Sequence, residues 1–333
     1  MRRSSVPIWI MLALLVLPVA LAPAQSLAQA AERTLRLGVL GFGTVAWELE
    51  TIRSHGLAEA EGLDLQVREF AGKQAAAIAF QGGEVDAIVT DIVWVARQRA
   101  SGRMLRFAPF SNTVGALMVP AGSSLQDIAD LKGVKIGVAG GPLDKSWLLL
   151  RSLVKQRHGF DPADAASPVY GAPPLLQQQF MKGQLDALIT FWHFAARLEA
   201  AGHRRLADMD DMVVGLGGSA GTSLVGYVFR EDTDGSRAEA EAAFLRASRA
   251  AKNVLSNDDA AWLPLRPLMR ASDDAVFETL KARFRAGIPA GFGDAEINAA
   301  RTLYDLLAGA GGTQLVGQAT TLDAAAFHPA ARF

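Results

Sequence analysis

The chain has 333 residues, half of them hydrophobic, with 33 basic and 34 acidic side chains and no cysteine. That length suits about two domains with a large core, and a near-neutral charge without basic runs argues against a nucleic-acid partner. The missing cysteine excludes disulfides, thiol catalysis and thiolate metal sites.

Arg2 and Arg3 precede an apolar run from Val6 to Ala22, and Ala28-Gln29-Ala30 puts small residues at a cleavage position. This is the pattern of a secretory signal peptide over residues 1–30, too short in its apolar part for a comfortable membrane span. The arginines lack the rest of a twin-arginine signal. The general secretory route is therefore expected, with cleavage after Ala30 and a periplasmic location. Without Arg2 and Arg3 the count is 31 basic against 34 acidic side chains, a net charge of −3.

Leu35 to Leu40 then reads as a strand, followed by Gly41-Phe42-Gly43-Thr44 and a helix whose one face carries Val45, Leu49 and Ile52. A second strand runs from Leu63 to Phe70, and Gly72-Lys73-Gln74 opens a helix reaching Gln81. Next comes Gly83-Glu84-Val85-Asp86-Ala87-Ile88-Val89-Thr90-Asp91, and near residue 183 the chain repeats it: Gly183-Gln184-Leu185-Asp186-Ala187-Leu188-Ile189-Thr190-Phe191-Trp192-His193. In each copy the glycine can end a helix through a left-handed turn, and the apolar run after it suits a buried strand of a parallel sheet. Between the copies lie strands at 106–110 and 114–119, a short helix near Ser124–Leu131 and a strand from Val134 to Ala139. A glycine-rich turn, Gly140 to Ser146, then leads into a helix ending near Arg157. A strand near Val169 and a helix after Pro173-Pro174 complete this unit. A helix from about Phe194 to Ala201 and a strand from Leu224 to Phe229 follow. From Arg237 the chain reads as mostly helical, with breaks at Asn257, Gly287 and Gly311.

Open α/β sheets bind ligands outside the carboxyl ends of their strands. Two such sheets, one per copy, imply two lobes with a cleft between them. Other motifs compete with that reading. Gly41-Phe42-Gly43-Thr44-Val45-Ala46 fits a dinucleotide fingerprint in form, but Glu69 comes late and Asp64 early for the ribose-binding acid. Gly217-Gly218-Ser219-Ala220-Gly221 fits a nucleophile elbow, but a strand rather than a helix follows it. The five histidines show no zinc-site spacing, so no metal site and no cofactor are expected.

The phrase Ala129-Asp130-Leu131-Lys132-Gly133-Val134-Lys135-Ile136-Gly137-Val138 resembles the opening of the second lobe in solute-binding proteins of ABC importers. The paired Gly-x-x-Asp-Ala strands resemble the nitrate/taurine/sulfonate branch, which includes thiamine-pyrimidine binders. The resemblance implies a type II periplasmic-binding-protein fold of two α/β lobes with an interlobe cleft. The first lobe would comprise residues 31–118 and 222–333 and the second 119–221, with crossings near Met118–Gly122 and Gly217–Leu224. It implies a monomer that binds a small solute without changing it and delivers it to a permease and ATPase in the inner membrane. A periplasmic partner of a redox system, as in quinoprotein-associated relatives, is the alternative, and an enzyme acting on a small molecule comes third.

The cleft candidates lie at strand ends and helix starts. They are Gly43, Thr44 and Trp47; Gly72, Lys73 and Gln74; Thr90 and Asp91; Gly141, Asp144, Lys145 and Ser146; and Phe191, Trp192 and His193. Trp192 and His193 can stack on and hydrogen-bond a planar solute, although ordinary corner packing also accounts for them and for Trp47. Asp91 and Asp144 can equally be helix caps. Lys145 draws attention because cations are disfavoured at a helix N-terminus. Two carboxylates facing each other across a closing cleft need a cation between them. Lys73, Lys145, protonated His193, or an amine or metal ion of the solute can supply it.

Overall fold

The computed structural model describes residues 33–41, 43–231, 235 and 237–333. The signal peptide, its cleavage site and Phe42 lie outside the described residues. In chain order the first elements are β1 (Arg33–Leu40), α1 (Val45–Ser54), α2 (Leu57–Ala60), β2 (Leu63–Phe70), α3 (Lys73–Gln81), β3 (Ala87–Asp91), α4 (Ile92–Ala100) and β4 (Leu105–Ser111). The middle holds β5 (Gly115–Val119), a 3-10 turn (Ile128–Leu131), β6 (Lys135–Ala139), α5 (Lys145–His158), α6 (Pro162–Ala165), β7 (Ser167–Gly171), α7 (Pro173–Met181), β8 (Ala187–Phe191), α8 (Trp192–Ala200), β9 (Arg204–Asp208) and α9 (Met209–Gly215). After β10 (Val225–Arg230) come α10 (Ala238–Asn257), a 3-10 turn (Ala260–Leu265), α11 (Arg266–Met269), α12 (Asp274–Ala286) and α13 (Asp294–Val316).

The strands form two five-stranded sheets, in the orders β2-β1-β3-β10-β4 and β7-β6-β8-β5-β9. The plans match: in each sheet a repeat strand, β3 or β8, lies between a parallel neighbour and an antiparallel one. The repeat itself is structural. Gly83 and Gly183 adopt φ of 78° and 68°, the left-handed turn that a side chain resists. Asp86 then accepts the backbone N–H of Arg36 at 3.0 Å, and Asp186 accepts that of Lys135 at 2.8 Å. Their own amides donate to the carbonyls of those same residues. Each aspartate thus closes the end of the ladder between its strand and the neighbouring one, where a backbone donor would otherwise lack a partner.

β5 departs from the sequence expectation. The expected boundaries put most of it in the first lobe, with the crossing near Met118–Gly122. It pairs instead with β8 and β9, so the chain leaves the first sheet at 112–114. A fully buried apolar run fits either sheet, so its hydropathy cannot choose. The packing at Gly115 can: a Cβ there would stand 2.7 Å from the Thr190 carbonyl oxygen, so only glycine lets β5 lie this close to β8. The chain returns between Gly215 and Val225. The two connections are tied together by the Ser223 hydroxyl, which donates to the Asn112 side chain. The sequence reading also passed over β9 and α9, whose residues are mixed in polarity.

The C-terminal helices cover the first sheet and reach the second. Along one face of α10, Ala243, Phe244, Ala247 and Ala251 are buried. Its Lys252 forms a 2.6 Å ion pair with the fully buried Glu48 of α1, and Tyr227 and Ser248 hydroxyls donate to the same carboxylate. The helix breaks expected at Asn257 and Gly287 stand at the ends of α10 and α12, while the kink in α13 falls at Gly312, one residue past Gly311.

Candidate functional site

Both repeat strands run straight into helix N-termini, where backbone amides lack intrahelical partners. At the first, the Asp91 carboxylate caps α4 by accepting the Trp94 N–H at 3.0 Å. Asp144 caps α5 in the same way, accepting the Trp147 N–H at 3.1 Å. These two helices belong to different lobes, and their starts face each other. Lys145 Nζ donates across the gap to Asp91 Oδ2 at 3.0 Å, with the two side chains 24% and 13% exposed. The cation demanded by two facing carboxylates therefore comes from the chain itself. An ammonium in the first turn of α5, unfavourable against the helix dipole, is offset by its partner in the other lobe.

Lys73 stands nearby, exposed in the first turn of α3, with its Nζ 5.9 Å from the centre of the Phe191 ring in the opposite lobe. Two ammonium groups and two carboxylates thus converge. Burial alone would raise the Asp91 carboxyl, but the charges of Lys145 and Lys73 and two donated hydrogen bonds hold it below the ordinary range. At Asp144 burial prevails over the same lysines and its capping bonds, and the carboxyl is raised. Burial, with the Arg197 charge behind it, pushes His193 down to about 4. The imidazole is neutral at pH 7 and offers hydrogen-bonding capacity rather than charge.

Gly43 and Thr44 form the turn into α1, and Thr44 is buried. Gly72 is extended at the start of α3, with Gln74 exposed beside Lys73. Thr90 is half-buried on β3. Gly141 takes φ of 94° before α5, and Ser146 is buried in the first turn of that helix.

The two tryptophans require a correction. Trp192, expected as a face for a solute to stack on, and Trp47, a further cleft candidate, are 6% and 4% exposed. Their rings meet edge to face with centroids 5.8 Å apart, and Phe284 lies 5.6 Å and Trp262 6.3 Å from Trp47. Rings in the first turns of two helices from different lobes gain more from burying each other than from facing water. The result is an aromatic joint between α1, α8 and the C-terminal helices. Arg197 of α8 strengthens it by donating to the carbonyls of Met269 and Arg270 at 2.6 and 3.1 Å, and Arg283 of α12 pairs with Glu199. The lobes are therefore joined by rings and ion pairs as well as by Asp91–Lys145.

Sequence reasoning missed Arg197, Glu199 and Arg283, whose partners are distant in the chain and carry no spacing signal. Thr190 is not among the sequence candidates, although it matches Thr90 at the same offset in the first copy. The Thr190 Oγ1 is buried and has no partner among the described residues.

A family model described as "NMT1/THI5 like" matches residues 53–261. No curated protein matches the chain. Among solved structures, the alkanesulfonate-binding protein SsuA of Xanthomonas axonopodis pv. citri bound to MOPS aligns with a TM-score of 0.66 at 21% identity, covering 90% of this chain and 99% of that one. The periplasmic aliphatic sulphonate binding protein SsuA of Escherichia coli aligns with a TM-score of 0.64 at 19% identity, over 83% of this chain and 87% of the other. A putative periplasmic sulfonate-binding protein of Methylobacillus flagellatus KT gives 0.64 at 16% identity, over 90% and 92%. At these identities the likeness is one of fold.

Proposed function

The chain belongs to the NMT1/THI5-like family, and from that membership we propose that it binds a small solute between its lobes and delivers it to the permease and ATPase of an ABC importer. The observation that carries the proposal is the meeting of Lys73, Asp91, Asp144 and Lys145 at facing helix N-termini of two matching α/β lobes. Helix N-termini and ammonium groups suit an anionic head group. The solute class taken over from the similar structures is a small organic sulfonate. Lys73 and Lys145 would meet its anionic end, and the neutral His193 and Thr190 would offer hydrogen bonds. Binding without chemical change and a periplasmic location after removal of the leader belong to the same reading. Native mass spectrometry of the protein purified from the periplasm of its own host tests it. A stoichiometric small solute that leaves on denaturation is the expected result. A chain recovered only in complex with a dehydrogenase or cytochrome would replace transport with the redox-partner role.

A further inference from the structure

Away from the cleft, the outer face of α10 borders a groove of about 640 Å³. Arg246, Arg249, Asn253 and Ser256 line one wall at helical spacing, and Arg285, the 288–290 segment and Phe333 form the other. Among the described residues, no aspartate or glutamate lines it. That composition runs against the slight acidic excess of the chain as a whole.

Three guanidinium groups there keep donors to spare. Arg246 uses its Nε on Glu61 at 2.7 Å. Arg249 lies 4.7 Å over the Phe333 ring and gives one N–H to the Ala330 carbonyl at 3.3 Å. Arg285 is anchored by Nε to the Leu255 carbonyl at 2.8 Å and by Nη1 to Asp259 at 2.7 Å, while its buried Nη2 has no partner. A buried donor without an acceptor costs free energy unless something outside the chain's own side chains satisfies it. Lys252 is spent on Glu48 and forms only the floor. Anchored, planar forks with free N–H groups match the oxygens of phosphate better than mobile lysines do.

We propose that this groove is a second binding site, separate from the cleft, for an anionic phosphate group. The phosphate can be free or carried on a lipid headgroup. Titration calorimetry of the protein with inorganic pyrophosphate at low ionic strength tests it. One site is expected, weakened about tenfold or more by Arg249→Glu, the scale of one lost charge-assisted hydrogen bond. Lys182→Glu, the same charge change at an exposed position of the second lobe, should leave it within about twofold, because bulk charge is screened over that distance. Equal weakening by both variants would mean diffuse attraction and overturn the site. So would no binding to the wild type, or binding lost in Lys73→Met and kept in Arg249→Glu, which would put the anion in the cleft. Sedimentation with phosphatidylglycerol against phosphatidylcholine vesicles separates the sources. Binding to phosphatidylglycerol alone that pyrophosphate competes away identifies a headgroup, and its absence beside a calorimetric site identifies a free anion.

Discussion

Replacing Lys145 by methionine tests the ion pair that spans the lobes. At 3.0 Å the bare attraction is about 5 kcal/mol in an effective dielectric near 20, and desolvation of two half-buried groups takes back much of it. Exposed pairs contribute about 0–1 kcal/mol and breaking a fully buried one costs about 3–5, so about 2 kcal/mol is expected here. Asp91→Asn is the matching perturbation, because asparagine caps a helix as well as aspartate and the change removes charge alone. A double-mutant cycle over urea unfolding should therefore return a coupling of about 2 kcal/mol. If the pair also holds the lobes together, the same energy shifts a closed-to-open equilibrium about thirtyfold. Small-angle scattering and inter-lobe spin-label distances would report that shift. The pH dependence has a definite sign: Asp91 titrates below its unfolded value, so its contribution is present above about pH 4 and is lost as the pH falls through the lower folded value. In Lys145→Met that loss should shrink, because burial then lifts the folded Asp91 carboxyl toward its unfolded value. A coupling below about 0.5 kcal/mol would show that the pair is solvated like any surface contact and refute the reasoning.

Trp192→Ala should destabilise the protein by about 3–5 kcal/mol, because it opens a cavity in the aromatic joint; an unchanged urea midpoint would put the ring at a wet surface. His193, neutral and depressed to about 4, binds its proton more weakly folded than unfolded. Stability should thus fall by up to roughly 3 kcal/mol as the pH drops from 6.5 to 4, and His193→Gln should flatten that part of the profile. Lys73→Met should weaken an anionic solute by about tenfold with little effect on melting, since the side chain is exposed and contributes mainly charge. Calorimetry with the co-purified solute, set beside a thermal scan, separates the two effects.

The lobes and their shared plan were legible in the chain because they rest on local rules. Gly83 and Gly183 stand where only glycine turns freely, and Asp86 and Asp186 recur because each sheet leaves a strand-end amide to satisfy. Asp91 and Asp144 were legible for the same reason, as residues suited to capping the helices they precede. Position in space was not. The apolar run of β5 fits either sheet, and only the close approach at Gly115 assigns it to the second. Trp192 follows a strand end and Trp47 lies one turn into a helix, yet whether a ring at such a place meets solvent or another ring depends on what lies opposite. Here that is Phe284 and Trp262, seventy or more residues further along the chain. The four charges of the cleft could be named one by one from the sequence. That Lys145 neutralises Asp91, while Asp144 is left raised by burial, follows from distances and desolvation between lobes, which exist only once the chain has folded.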